Sequence, residues 1–157
     1  MLRANFIVLA AAFFLSACAS APASAPADIR QIVSTTSFGM CVGYCTTRLE
    51  ISPGRAVLIR QARGGRGAPQ NLPDQRFAAV LSPDEWSEIE RLAASTDLSG
   101  LPPVIGCPDC ADGGAESLTI EGGQPQTVSF EHNASIAQAA PLLERVRALR
   151  TRLTPQE

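Results

Sequence analysis

Lysine is absent from this chain. All 13 basic side chains are arginine, and there is one histidine, one tryptophan and one tyrosine. Without lysine, Schiff-base chemistry and lysine general bases are excluded. The single histidine, His132, has no Gly-x-Ser-x-Gly elbow to accompany it, so hydrolytic catalysis has little to draw on. Excess positive charge is lacking too. Once residues 1–17 are removed as a signal, 12 arginines face 15 acids, a balance of about −3. Nucleic acid demands a basic face, and that partner class is set aside.

What is present begins at the N-terminus. Arg3 is followed by an apolar run from Phe6 to Leu15, then Leu15-Ser16-Ala17-Cys18. The run is about ten residues, half the roughly 20 needed to span a bilayer. The segment resembles a bacterial lipoprotein signal with its lipobox. That resemblance implies cleavage before Cys18 and a lipid (diacylglyceryl, palmitate-bearing) on its thiol. Ala19, rather than Asp, follows the cysteine, which by the usual sorting rule implies the outer membrane, facing the periplasm. The expected division is a signal peptide over 1–17, a lipidated Cys and Ala/Ser/Pro tether over 18–27, and one domain over 28–157. A tether such as Ala19 to Ala27 cannot build a core. The remaining 140 residues suffice for one modest core.

Ile32, Val33, Thr35 and Thr36 favour a strand. Thr47, Leu49 and Ile51 alternate with Arg48 and Glu50, Ser52-Pro53-Gly54 breaks the run, and Ala56 to Arg60 resumes it, a hairpin pattern. Residues 63–76 read as a mobile glycine-rich loop, and Phe77 to Leu81 as a short strand. Ser82-Pro83-Asp84-Glu85 is a helix start with a capping box, and Trp86, Ile89, Leu92 and Ala93 form its apolar stripe. Leu118 and Ile120, then Val128 and Phe130, frame a second hairpin around Glu121-Gly122-Gly123-Gln124. Pro141 opens a final helix with Leu142, Leu143, Val146, Leu149 and Leu153 on one face. Arg145, Arg147, Arg150 and Arg152 are expected on its solvated side. The expected fold is α+β: a mostly antiparallel sheet built from two hairpins, with two helices packed on one face.

Four cysteines remain besides Cys18: Cys41, Cys45, Cys107 and Cys110. An even count in an oxidising compartment reads first as two disulfides, with three connectivities open. Cross-pairing would close a loop of about 66 residues and contribute ~4 kcal/mol, more than local pairs. Three other chemistries compete. Thiol redox or copper handling at Cys41/Cys45 or Cys107/Cys110 needs a stabilised thiolate, usually at a helix N-terminus, and neither motif opens a helix. Four-cysteine zinc has acceptable spacing, but thiols in that compartment tend to oxidise. Calcium at Asp109, Asp112 and Glu116 misses the Asp-x-Asp-x-Asp-Gly spacing. His132, after a strand end, reads as a partly exposed structural residue. Glu85, Glu88 and Glu90 fall on the solvated side of the first helix.

The Cys41-Val42-Gly43-Tyr44-Cys45 segment, with Leu49, Ile51 and the Gly54 turn, resembles a bacterial family known as domain of unknown function 6438, whose members carry Cys-x-Gly-x-Cys-Pro entering a strand. The likeness extends over residues 29–152, in the order helix, acidic loop, hairpin and Pro-led final helix. Thr46 stands where the family has Pro, and Arg48 where it often has an aromatic. The resemblance implies an α+β lipoprotein domain whose cysteines form self-contained local pairs. It implies no activity. The function expected is therefore a non-enzymatic, disulfide-stabilised binding or envelope component, without a cofactor, anchored through Cys18 and acting on an envelope protein or ligand. The alternative is a periplasmic thiol-redox or metal-handling lipoprotein.

Overall fold

A computed structural model describes residues 28–63 and 72–155. Cys18, the signal, the tether and most of the glycine-rich loop lie outside the described residues. Within them the chain is α+β: a seven-stranded, mostly antiparallel sheet and two helices. The strands are β1 (Ile29–Ser37), β2 (Gly43–Ser52), β3 (Arg55–Arg63), β4 (Gln75–Val80), β5 (Val104–Ile105), β6 (Ala115–Gly122) and β7 (Gln126–Glu131). Helix α1 (Pro83–Ala94) joins β4 to β5, and α2 (Ala140–Leu153) closes the domain. Strand order is β4-β3-β2-β1-β6-β7-β5, and only the β5–β7 pairing is parallel.

Local chemistry accounts for most of these boundaries. β2 and β3 pair with Ser52 opposite Arg55, and Gly54 supplies the left-handed backbone (φ 75°) that the turn between them requires. At α1, Ser82 Oγ accepts the Glu85 N–H at 3.2 Å while Glu85 Oε2 accepts the Ser82 N–H at 3.0 Å, so the capping box is closed. β4 lies two residues earlier than its expected start, at Gln75, because Gln75 and Arg76 pair with Arg60 and Ile59.

The sheet is larger than two hairpins. β1 lies at its centre, bonded to β2 on one side and to β6 on the other, with Ile32 opposite both Ile51 and Ile120. Alternate positions meet across neighbouring strands: Ile51 and Leu49 on β2, Ala56 and Leu58 on β3, Leu118 and Ile120 on β6, Val128 and Phe130 on β7. They cluster with Ile89 and Ala93 of α1 and Leu142, Leu143, Val146 and Leu149 of α2. That period of two on strands and three to four on helices sets the core. Among the described residues, no helix is long and apolar enough to cross a membrane.

Candidate functional site

The cysteines are joined locally, Cys41 to Cys45 and Cys107 to Cys110, with Cα–Cα separations of 5.5 and 5.4 Å. Both distances fall in the range a disulfide demands. Cys45 opens into β2 and is 2% exposed, whereas Cys107 and Cys110 are both exposed. The four-thiolate zinc arrangement is therefore not assembled, because each sulfur is already bonded within its own loop.

These two loops, about 70 positions apart, meet at one end of the sheet. The Gly39 N–H donates to Asp109 Oδ1 at 3.1 Å. The Phe38 ring lies where a Cβ on Gly114 would fall, so only glycine lets that strand entry pass beneath the ring. Phe38 also meets the His132 imidazole edge-on, with centroids 4.9 Å apart. The Gly114 carbonyl accepts from both Asp109 N–H (3.0 Å) and His132 N–H (3.1 Å). Glu131 Oε1 accepts the Cys107 N–H at 3.1 Å. Cys107, Cys110, Gly113, Gly114, Glu131 and His132 line an open pocket of about 370 Å³.

Beneath this corner is a buried charge cluster. Glu116, on β6, has a fully buried side chain and holds two arginines of α2. Arg147 Nη2 donates to Glu116 Oε2 at 2.7 Å and Arg150 Nη1 to Glu116 Oε1 at 3.0 Å. Arg147 Nη2 also reaches the Ala134 carbonyl at 2.9 Å, and Arg150 bonds the Ser34 hydroxyl on β1. Burial by itself would raise the Glu116 carboxyl, but the Arg147 hydrogen bonds and the Arg150 charge overcome it and hold the group below the usual carboxylate range. His132 is held below its ordinary value chiefly by burial. The Arg150 and Arg147 charges act in the same direction, against the opposing pull of Glu116. Its Nδ1 is buried without a hydrogen-bond partner, which favours the neutral ring.

This arrangement bears on the calcium alternative and revises one expectation, that the α2 arginines are simply solvated. The calcium trio is not available, since Glu116 is spent on two guanidiniums and Asp109 holds the Gly39 amide. Among the described residues, no group of three or more His, Cys, Asp or Glu is placed to hold a metal ion. Nor are the arginines of α2 merely solvated. Arg152 pairs with Glu85 at 2.7 Å, Arg145 with Glu85 and Glu88 at 3.4 and 3.3 Å, and Arg147 and Arg150 with Glu116. Glu88 is exposed and Glu85 half-buried, and both also tie α1 to α2. Glu85 is lowered to about 2, first by the Ser82 backbone bond and next by Arg152.

The chain matches no protein-family model and no curated protein.

Proposed function

We propose that this protein is an exported lipoprotein whose α+β domain acts by binding, as a non-enzymatic component of the cell envelope. In this reading Cys18 carries the lipid, the tether holds the domain at the inner leaflet of the outer membrane, and the two helices cover one face of a sheet grown from two hairpins. The likeness of Cys41, Gly43, Cys45, Leu49, Ile51 and Gly54 to domain of unknown function 6438 is part of the same proposal. One observation carries it. Both non-lipobox cysteine pairs are closed within local loops, and the Gly39–Asp109 hydrogen bond knits those loops into one corner. Closed, partly exposed bridges of this kind persist in an oxidising compartment and not in a reducing one.

Fractionation of cells expressing the full chain tests the anchoring. The native chain should sediment with membranes and incorporate labelled palmitate. Cys18→Ser should abolish labelling and leave the protein outside the outer-membrane fraction, because an acyl chain contributes about 0.8 kcal/mol per buried methylene to anchoring. Equal labelling and sedimentation of the two chains would sink the lipoprotein reading. The exposure of Cys107 and Cys110, against the burial of Cys45, is the observation that favours a thiol-redox reading for one pair.

A further inference from the structure

The two bridges close their loops at different backbone cost. Between Cys41 and Cys45 the one residue in the left-handed region is Gly43 (φ 98°), where glycine suffers no Cβ clash. The Cys107–Cys110 loop has no such relief. Asp109 (φ 60°), Ala111 (φ 49°) and Asp112 (φ 59°) are all left-handed, and they bracket Cys110 on both sides. Asp tolerates that region through its short polar side chain, but Ala111 has no such compensation. Such strain persists only where the surroundings impose it. Here the constraints are the bridge anchoring Cys110, the Gly39–Asp109 bond, and two backbone bonds that close over Ala111 and Asp112, Gly113 N–H to the Cys110 carbonyl and Asp109 N–H to the Gly114 carbonyl. Access differs in the same sense. Cys107 and Cys110 line the open pocket beside Glu131 and His132, while Cys45 is buried in β2.

We propose that Cys107–Cys110 is a thiol–disulfide exchange site, reducible by a dithiol partner, while Cys41–Cys45 stays a permanent staple. The proposal goes beyond the anchored binding domain and rests only on the corner. In the exchange a partner thiolate attacks one sulfur of the Cys107–Cys110 bond. A mixed disulfide forms as that bond breaks, and the released protein thiolate takes a proton from solvent. The partner's second thiol loses its proton and attacks the mixed disulfide, so the partner leaves as a disulfide. The protein gains two electrons and two protons. Breaking the bond frees Asp109 within the ring and removes one anchor from Cys110, so the left-handed stretch from Asp109 to Asp112 can relax, which favours the reduced loop. Asp109 is then no longer held against Gly39, and the redox state is transmitted to the Cys41–Cys45 loop.

The test is equilibration of the purified full chain in graded mixtures of reduced and oxidised dithiothreitol, an uncharged dithiol. Acid quenching, alkylation and peptide mass mapping then score each pair separately. Cys107–Cys110 should be half reduced at a reduced-to-oxidised ratio roughly tenfold lower than Cys41–Cys45 requires. Ala111→Gly should shift the Cys107–Cys110 midpoint by roughly three- to tenfold toward the oxidised form and leave the Cys41–Cys45 midpoint in place. Hydrogen exchange at the Gly39 amide should quicken when only Cys107–Cys110 is reduced. If the two pairs reduce together, or Cys41–Cys45 reduces first, the assignment is overturned. An Ala111→Gly midpoint identical to that of the native chain overturns the strain argument, whatever becomes of the lipid anchor.

Discussion

Replacing Glu116 with Gln should lower the melting temperature of the domain by roughly 10–20 °C, corresponding to about 3–5 kcal/mol. The side chain changes hardly at all in shape. What disappears is the carboxylate that Arg147 and Arg150 share, and Arg150 is just 12% exposed at its side chain. Two guanidiniums would then be left facing one another in a poorly hydrated space, a far larger penalty than the loss of any surface pair. A triple variant with apolar residues at 116, 147 and 150 should recover most of the loss, because the cost lies in stranding the arginines and not in lacking the ions. The same cluster sets a pH response. The folded-state value of Glu116 lies below its unfolded value, so its contribution is complete above about pH 4.5 and is lost as pH falls through the folded value. Glu85 behaves alike, down to about 2. His132 is also lowered, so the unfolded chain gains a proton near pH 6.5 that the folded chain refuses, and stability begins to decline there. Thermal scans across pH should show a shallow fall below 6.5 and a steeper one below 4.5, the second reduced in Glu116→Gln. A Glu116→Gln chain that melts within two or three degrees of the native one would contradict the buried-cluster account.

The second large effect concerns the staple. Cys41→Ala together with Cys45→Ala should lower stability by about 2 kcal/mol, the loop-closure contribution of a five-residue ring, and lower the melting temperature by roughly 6–10 °C. Cys45 is buried beside the β2 backbone, and its carbonyl accepts the Phe38 N–H at 3.1 Å, so a loosened loop also disturbs the Phe38 ring and the His132 contact. Binding of any partner to other faces should persist. Calorimetry of the two chains under non-reducing conditions measures the difference, and an unchanged transition would show that the bridge does not staple the fold.

Much of the fold is legible in the residues because local rules dictate it. Ser82 and Glu85 mark the start of α1 through bonds three residues apart, and Pro53-Gly54 marks a turn by backbone geometry alone. The pairing of β1 with β6 is not legible in that way. It joins Ile32 to Ile120 across 88 positions, and no local signal selects one distant partner over another. β5 escapes notice because two residues after Pro102-Pro103 cannot show a period, and only contact with Ser129 and Phe130 makes them a strand.

For the candidate site, four cysteines beyond Cys18 are visible in the sequence, but their spacing leaves three connectivities open, and neither the local pairing nor the Phe38–Gly39–Asp109–His132 corner is set by it. Glu116 does carry a signal in the sequence. Counted with Leu118 and Ile120 it falls on every second position, which places it on the buried face of β6. Arg147 and Arg150 stand three apart on α2, flanked by the buried Val146 and Leu149, close to the core edge and not opposite it. An acid on a buried strand face and two bases on the core-facing side of a helix imply each other. Taken instead with Asp109 and Asp112 along the chain, Glu116 looks like part of an acidic loop.

In the proposed reading, the four cysteines beyond Cys18 rest as two disulfides in an exported protein. The most direct measurement is peptide mass mapping of the natural protein, isolated from its cells with free thiols alkylated at lysis and no reductant added. The account predicts a chain beginning at an acylated Cys18, with Cys41 linked to Cys45 and Cys107 linked to Cys110. A chain that still carries residues 1–17, with all four of those cysteines alkylated, would contradict it.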